Sequence, residues 1–177
     1  LPTNEITYVD VSHLTQLTYL DLKNNKLTSI NVSHLTGLQV LSLPTNEITY
    51  VDVSHLTQLT RVRLGNNKLT SINVSRLAGL QSLKLANNHF NASVPSTYSK
   101  LTHLTCLNLR NNNFKGNLRW IEQLSNLQVL DLRSNNFLGN FSLLFLQKLR
   151  FLGIRGSGIE LNATYVKSIL PHLSDYG

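Results

Sequence analysis

Apolar residues recur along this chain at positions one, four, six and eleven of a repeating unit, and an asparagine occupies position nine. The unit, LxxLxLxxNx followed by Leu, Ile or Phe, begins at Leu17, Leu38, Leu59, Leu80, Leu104 and Leu127, with Val62 replacing one leucine. A degenerate copy begins at Leu149, and a half copy, LPTNEI, opens the chain. The steps between openings are 21, 21, 21, 24, 23 and 22 residues. Such fixed-period similarity predicts stacked coils rather than one central core.

The spacing within one unit predicts a short strand. Leu83 and Leu85 are two residues apart, so they share one face of an extended segment, and Lys84 between them points to solvent. Leu80 and Phe90 flank the strand and are expected to turn inward at its ends.

The asparagine at position nine is a polar residue among apolar ones, and a buried amide must find hydrogen-bond partners. Stacked copies can supply them from the turn that leaves each strand and from the neighbouring coil. We expect an asparagine ladder formed by Asn4, Asn25, Asn46, Asn67, Asn88, Asn112 and Asn135. Ser157 takes this position in the last copy, so the ladder should end there.

A second apolar alternation follows the asparagine in the 21-residue units, as in Leu27, Ile30, Val32 and Leu35. It predicts extended chain rather than helix on the back of the coil. Residues 1–18 also recur at 43–60, two units later. Over residues 1–159 the motif resembles the leucine-rich repeat family, with the short nested class, best represented in bacterial proteins, in the first half. Units of 22–24 residues follow, and SVPSTYSKLTHL is similar to the longer plant-type unit.

The resemblance implies an α/β fold, namely a right-handed leucine-rich repeat solenoid with one curved parallel sheet of about seven or eight short strands. It also implies an asparagine ladder, an extended or irregular convex side and a C-terminal capping helix. We expect the solenoid to occupy residues 1–159 and the cap residues 160–177.

The cap is predicted from the run LNATYVKSIL, which favours a helix at about 162–170. Its expected apolar face is formed by Leu161, Tyr165, Ile169 and Leu170. Asn162 or Thr164 is a candidate N-cap, and Pro171 should end the helix. At the other end, the first coil would expose Leu1, Ile6, Val9 and Val11, so we expect further repeats or a capping segment upstream.

Two columns of the duplicated half avoid stacking like charges. Position ten alternates in sign through Glu5, Lys26, Glu47 and Lys68, and a second column dilutes carboxylates through Asp10, Asn31, Asp52 and Asn73. Stacked strands lie about 5 Å apart, so identical charges there would repel. We interpret both columns as devices for solubility and register.

Candidate catalytic and metal-binding residues are few. His13, His34 and His55 form a column that Arg76 continues, so we interpret it as solvated surface rather than a zinc site. Cys106 is the single cysteine, and the five Asn-x-Ser/Thr sequences occur at about the number that chance gives. Paired carboxylates, a phosphate loop and a Cys-His arrangement are not found. We therefore expect a protein that is not an enzyme, with no cofactor and no metal.

Charge placement carries the functional prediction. The chain has a formal net charge of +7 and an isoelectric point near 9.8. Basic residues dominate the outward positions expected on the concave sheet, namely Lys23, Arg61, Arg63, Lys84, Arg110, Arg133, Arg150 and Arg155, against Asp21 and Asp131. Arg110, Arg133 and Arg155 occupy one position of successive units, which predicts an unneutralised column. Tyr19, Val40, Val129 and Phe151 add apolar anchors.

These residues favour a non-catalytic module that binds a protein with an acidic patch or peptide. The predicted contact residues are Tyr19, Arg61, Arg63, Lys84, Arg110, Arg133, Phe151 and Arg155. A binder of nucleic acid or another polyanion is an alternative, as is the targeting arm of a larger effector or ligase. The arginines could also serve solubility alone. No membrane insertion is expected, the oligomeric state is open, and a secreted, cell-surface or host-delivered protein is favoured.

Overall fold

The computed structural model describes residues 4–173, and its central element is a parallel sheet of seven strands. In chain order the strands of this part of the protein are β1 (Tyr19–Asp21), β2 (Val40–Ser42), β3 (Arg61–Arg63), β4 (Ser82–Lys84), β5 (Cys106–Asn108), β6 (Lys115–Gly116), β7 (Val129–Asp131), β8 (Asn136–Phe137) and β9 (Phe151–Gly153). The main sheet has the order β1-β2-β3-β4-β5-β7-β9, and β6 pairs with β8 in a separate sheet. The predicted α/β solenoid is confirmed.

The register of the main sheet repeats from strand to strand, because each residue lies opposite the same position of the next unit. The middle residue of every strand points inward and is at most 8% exposed. Burying one such leucine or valine contributes about 1.5–3 kcal/mol before its entropy cost. The first and third residues of each strand therefore share the outward face, which we name the sheet face.

A left-handed residue follows each strand and turns the chain away from the sheet. Six of these residues are not glycine and have φ between 52° and 58°, namely Asn24, Thr45, Asn66, Asn87, Asn111 and Ser134. Asparagine tolerates this region better than most residues, which explains its frequency at this position. The last coil uses Gly156, with φ of 65°.

The side of the coils opposite the main sheet differs between the two halves. The 21-residue units form turns and the single bridge Ser29–Tyr50, which agrees with the predicted extended chain. The longer units instead contain three 3-10 helices, η1 (Ser96–Lys100), η2 (Arg119–Gln123) and η3 (Leu143–Phe145), together with the β6–β8 pair. The longer units thus add short helical turns to an otherwise extended or irregular convex side, because their additional residues complete a turn.

The longer units also replace aliphatic residues with stacked rings at position eleven. Phe90 and Phe114 lie 4.9 Å apart between ring centroids, and Phe114 and Phe137 lie 6.3 Å apart. All three rings are at most 4% exposed. The larger side chains fill the space that the additional backbone creates.

The C-terminal helix α1 (Ala163–Ile169) lies close to the predicted span. Asn162 is its N-cap, and Asn162 Oδ1 accepts hydrogen bonds from Thr164 N at 2.8 Å and Tyr165 N at 3.1 Å. The buried face differs from the prediction, because Val166 is buried and Tyr165 is 37% exposed. Leu161 and Ile169 are partly buried, and Leu170, directly before Pro171, is buried.

The first coil is less exposed than its position suggested. Val11 is only 4% exposed, and Ile6 and Val9 are partly buried against the core, so the expected exposure of Val11 is wrong. Leu1 lies outside the described residues. Within residues 4–173, no helix has the length and apolar character needed to cross a bilayer.

Candidate interaction surface on the parallel sheet

Two rows of side chains form the sheet face. The first row contains Tyr19, Val40, Arg61, Ser82, Cys106, Val129 and Phe151, and the second contains Asp21, Ser42, Arg63, Lys84, Asn108, Asp131 and Gly153. Five of the eight predicted contact residues lie in these rows, namely Tyr19, Arg61, Arg63, Lys84 and Phe151. Arg110 lies two residues beyond the end of β5. Arg133 and Arg155 follow the last two strands of the sheet.

Arg110, Arg133 and Arg155 occupy the same position of three stacked coils. Their carbonyl oxygens accept hydrogen bonds from Asn87 N at 2.9 Å, Asn111 N at 2.9 Å and Ser134 N at 3.0 Å. Each acceptor lies two residues beyond its strand, so the backbone ladder continues past the sheet and holds the three arginines in one column.

The prediction that this arginine column is unneutralised is wrong for Arg133, because a carboxylate pairs with it. Arg133 donates to Asp131 through Nε at 2.9 Å and Nη2 at 2.7 Å. The Arg133 guanidinium also lies 5.3 Å from the centroid of the Phe151 ring, a cation–π distance. Asp131 is 3% exposed, so a desolvated carboxylate holds this cation.

Gly153 makes room for the pair. A Cβ built on Gly153 would lie 2.8 Å from Asp131 Oδ1 and 2.9 Å from Arg133 Nε, closer than ordinary carbon contacts allow. The sequence signal was present in the Asp-Leu-Arg spacing, because residues two apart point the same way from a strand. The contribution of Gly153 could not be found without the neighbouring coil.

A similar but looser pair lies at the other end of the sheet. Lys23 Nζ is 3.7 Å from Asp21 Oδ2, and Tyr19 Oη donates to the same oxygen at 3.3 Å. Burial raises the pKa of Asp21, but the hydrogen bond from Lys23 N, the charge of Lys23 and the hydroxyl hydrogen bonds of Tyr19 and Ser42 together outweigh it, so the pKa lies below its usual value. Asp21 is therefore charged at neutral pH and offsets Lys23.

Between these two pairs lie four cations that make no ion pair with any residue in 4–173, which we name the central basic cluster. They are Arg61, Arg63, Lys84 and Arg110. Arg61 and Arg63 are the two ends of β3, and Arg63 lies opposite Lys84 in β4. Arg61, Lys84 and Arg110 are exposed. Arg63 is half-buried, and its buried Nε has no hydrogen-bond partner in the described part of the chain.

The predicted apolar anchors are available to different degrees. Tyr19 is 54% exposed, beyond the Asp21–Lys23 pair. Val40, Val129 and Phe151 are half-buried, and the Arg133 guanidinium covers the Phe151 ring. Of the anchors, only Tyr19 therefore offers a largely open ring to a partner.

The asparagines at position nine each join two coils. Asn67 is representative, because its Oδ1 accepts from Ile48 N at 2.9 Å and its Nδ2 donates to Leu43 O at 2.9 Å and Leu64 O at 3.1 Å. The same pattern of amide bonds holds Asn25, Asn46, Asn88, Asn112 and Asn135. Asn4 shows no such bond within residues 4–173. These amides position the sheet face rather than belong to it.

The last coil continues the ladder by another route. Phe137 N donates to the carbonyl oxygen of Ser157 at 2.8 Å, where the earlier coils use an asparagine Oδ1. Gly158, with φ of 84°, permits this approach, because a Cβ there would collide with the Phe137 carbonyl. The asparagine series ends at Ser157, and a backbone carbonyl replaces its last acceptor.

The alternating charges of position ten form ion pairs. Lys26 Nζ is 3.0 Å from Glu5 Oε1, and Lys68 Nζ is 2.7 Å from Glu47 Oε2. The hydrogen bond from Lys68, followed by its charge, holds the pKa of Glu47 below the usual value. These pairs lie beyond the asparagines, away from the central basic cluster.

The histidine column shows ordinary contacts. His34 Nε2 lies 3.1 Å from Val11 O, and His55 Nδ1 lies 3.5 Å from Arg76 Nη1. Across residues 4–173, no three His, Cys, Asp or Glu side chains are grouped as a metal ion requires. Cys106 is half-buried on the sheet face.

Sequence reasoning missed a second exposed surface, on the side away from the main sheet. Leu138, Leu144 and Phe145 are 52–65% exposed, and Tyr165 borders a groove of about 580 Å³ between Phe141 and Leu161. The run FSLLFL at residues 141–146 contains this signal, because an apolar run without alternation cannot place every side chain inward. The deeper members, Phe141 and Leu143, are indeed buried.

Comparison with known proteins agrees with this geometry. Two leucine-rich repeat family models match, one at residues 78–137 and the other at residues 16–38 and 126–149. No significant match was found among curated protein sequences.

Solved structures with this fold include the functional domain of InlJ from Listeria monocytogenes, with 29% identity and a TM-score of 0.69. The alignment covers 94% of this chain and 41% of the InlJ chain. A leucine-rich repeat protein of Leptospira interrogans has 23% identity and a TM-score of 0.75. The alignment covers 100% of this chain and 53% of the Leptospira chain.

The ectodomain of the receptor kinase GASSHO1/SCHENGEN3 from Arabidopsis thaliana, solved in complex with CASPARIAN STRIP INTEGRITY FACTOR 2, has 32% identity and a TM-score of 0.70. It covers 81% of this chain and 20% of its own. This chain thus spans between a fifth and about half of these structures. With its stacked parallel strands, its buried leucines and two matching family models, the chain belongs to the leucine-rich repeat proteins.

Proposed function

We propose that this chain is a non-catalytic protein-interaction module whose sheet face recognises an acidic surface of a partner protein. The observation that carries the proposal is the central basic cluster, where Arg61, Arg63, Lys84 and Arg110 lie on neighbouring coils and pair with no carboxylate of residues 4–173. Like charges on neighbouring strands cost free energy. The same protein alternates Glu and Lys at position ten, so an anionic partner is the simplest reason to retain the cluster.

The rigid framework supports this role. The strands are held by backbone ladders and by six asparagine amides that join successive coils, so the outward side chains start from fixed positions. A partner that binds such a surface loses little ordering entropy on the side of this protein. The GASSHO1/SCHENGEN3 ectodomain, whose structure contains a bound partner, is a precedent for binding by a similar stack of repeats.

Binding to nucleic acid or another polyanion is the second candidate, favoured by the isoelectric point near 9.8. Single strands are usually held by aromatic rings on which bases stack. On the sheet face Tyr19 lies outside the central basic cluster, and Arg133 covers Phe151. These positions favour a protein partner. The targeting-arm hypothesis concerns segments beyond this chain and remains a prediction.

The test is affinity capture with the wild-type protein, an Arg61→Glu/Lys84→Glu variant and a charge-matched Lys100→Glu/Arg119→Glu variant. Lys100 and Arg119 are exposed on η1 and η2, away from the main sheet. We expect the first variant to lose a protein that both others capture after nuclease treatment. Equal capture by all three would contradict a sheet-face site. Capture that disappears with nuclease, and binding to any oligonucleotide that falls steeply with salt, would favour the second candidate.

A further inference from the structure

We propose that the sheet face binds a short extended acidic segment, with carboxylates at alternate residues, which crosses the strands diagonally along the central basic cluster. This inference rests on the proposed function and specifies the form of the partner. It begins from which cations are available. The structure assigns Lys23 to Asp21 and Arg133 to Asp131, so the cations available between these two pairs lie over β3, β4 and the end of β5, while Arg150 and Arg155 lie apart, beside β9.

The four cations follow a diagonal rather than a column. Arg61 and Arg63 lie two residues apart on one strand, and Lys84 lies opposite Arg63 on the next strand. Arg110 is one further strand across and two positions further along, because Lys84 pairs with Asn108. Strands are about 4.8 Å apart and residues rise about 3.3 Å each, so the steps between neighbouring cations are about 5–8 Å.

These steps match one face of an extended peptide. Side chains at alternate residues of an extended chain share a face and lie about 6.6–7 Å apart. Four carboxylates on that face cover about 20 Å, close to the path that links the four cations. A segment of about seven residues therefore places one carboxylate near each cation without folding.

The polar groups beside the cluster favour an extended partner over a helical one. Asn108 Oδ1 accepts a hydrogen bond from Arg110 N at 3.0 Å, whereas Asn108 Nδ2 makes no hydrogen bond with residues 4–173. The Gln81 amide and the Ser82 hydroxyl, next to Arg61 and Lys84, also make no hydrogen bond with the described residues. An extended segment leaves its backbone N–H and C=O groups unpaired, and these side chains can bond them. A helix has already used those groups internally.

The second row of the sheet face has carboxylates on both sides of the central basic cluster. Asp21 lies in the second row two strands before Arg63, and Asp131 lies in the same row beside Asn108. Lys23 and Arg133 already neutralise these carboxylates, so the row offers no further available cation to a longer acidic run in either direction. The face thus selects a compact group of acidic residues over a long uniform polyanion.

Fluorescence anisotropy with labelled peptides tests this inference. One peptide carries four glutamates at alternate positions between Gly-Ser flanks, and the other carries four glutamates at every fourth position of an alanine-rich helix. We expect the alternating peptide to bind more tightly. Its dissociation constant should rise by about tenfold or more for Arg61→Glu/Lys84→Glu. The Lys100→Glu/Arg119→Glu control should bind like the wild type, and circular dichroism confirms folding of both variants.

The variant Asn108→Ala separates backbone recognition from charge, because the net charge does not change. It should weaken the alternating peptide several-fold and leave binding of a single-stranded oligonucleotide unchanged. Equal binding of the helical and alternating peptides, or the same affinity for wild type and the Arg61/Lys84 variant, overturns the extended segment. If the alternating peptide fails while that variant still loses the captured protein, the proposed function stands and this inference falls. If the alternating peptide fails and Arg61→Glu/Lys84→Glu captures the same proteins as the wild type, both the proposed function and this inference are contradicted.

Discussion

Arg133 and Asp131 form a two-point ion pair, with Arg133 Nε and Nη2 2.9 Å and 2.7 Å from the two carboxylate oxygens. The pair lies over Gly153 and against the Phe151 ring, both in the next strand. Such geometry is stronger than a single contact, because two parallel hydrogen bonds fix both side chains. A cation that looked available for a partner is therefore part of the framework.

The first prediction concerns this pair. Asp131→Asn removes a carboxylate whose side chain is 5% exposed, so we expect the free energy of unfolding to fall by about 1–3 kcal/mol. Asp21→Asn is the matched control, because its pair is longer, at 3.7 Å, and its carboxylate is 20% exposed. The control should lose less than about 1 kcal/mol. Denaturant unfolding measures both, and equal losses would contradict a special role for Asp131.

The second prediction concerns the space above Gly153. Gly153→Ala introduces a Cβ less than 3 Å from Asp131 Oδ1 and Arg133 Nε, so the pair must move. We expect a loss of about 1–3 kcal/mol. Gly79→Ala, where a Cβ meets nothing within 4 Å, should change stability by less than about 1 kcal/mol. The losses of Gly153→Ala and Asp131→Asn should not add in the double variant, because both act on one pair. A double variant whose loss of unfolding free energy equals the sum of the two single losses would contradict this explanation.

The third prediction concerns the asparagine ladder. Asn88→Ala leaves Leu69 N without its side-chain partner in a buried site. Leu64 O and Leu85 O each lose one of two amide donors, because Asn67 Nδ2 and Asn112 Nδ2 still bond them. One unsatisfied buried group costs about 1–3 kcal/mol and each of the two lost hydrogen bonds about 0.5–1.5 kcal/mol, so we expect a loss of at least about 2 kcal/mol. Asn113→Ala, which removes one exposed bond to Asn91, is the control and should cost less than about 1 kcal/mol. A thermal or urea melt in which both variants match would rule out a buried ladder.

The fourth prediction concerns pH. The hydrogen bond and charge of Lys68 lower the pKa of Glu47 in the folded state. The interaction therefore stabilises the fold fully above the unfolded pKa of Glu47, and this contribution is lost as pH falls through the lower folded pKa. In Lys68→Ala the Glu47 pKa should return towards its usual value. An NMR titration of the Glu47 side-chain carboxyl carbon measures the shift, and an unchanged pKa in the variant would refute the pairing.

The positions of the candidate site residues could be predicted from the sequence, but which of their charges are held in ion pairs could not. Leu83 and Leu85 predict inward positions, so Lys84 between them is outward on any strand, and the repeat extends this to Arg61, Arg63 and Arg110. Which cations lack a partner depends on side-chain distances within and between coils. Arg133 illustrates this dependence, because its carboxylate lies two residues away, but its space comes from Gly153, 20 residues further along the chain.

The repeat itself determined the stack, the strand positions and the asparagine column, because every unit has the same local pattern and each side-chain direction follows from a spacing of two. Tertiary structure alone decided the features that combine different coils. The packing of α1 buries Val166 rather than Tyr165 on the face towards the core. The contact between the last two coils replaces the final asparagine acceptor with the Ser157 carbonyl. Pairing Arg133 with Asp131 over Gly153 belongs to the same class. Each of these outcomes depends on the shape of the neighbouring coil, which no single period of the sequence contains.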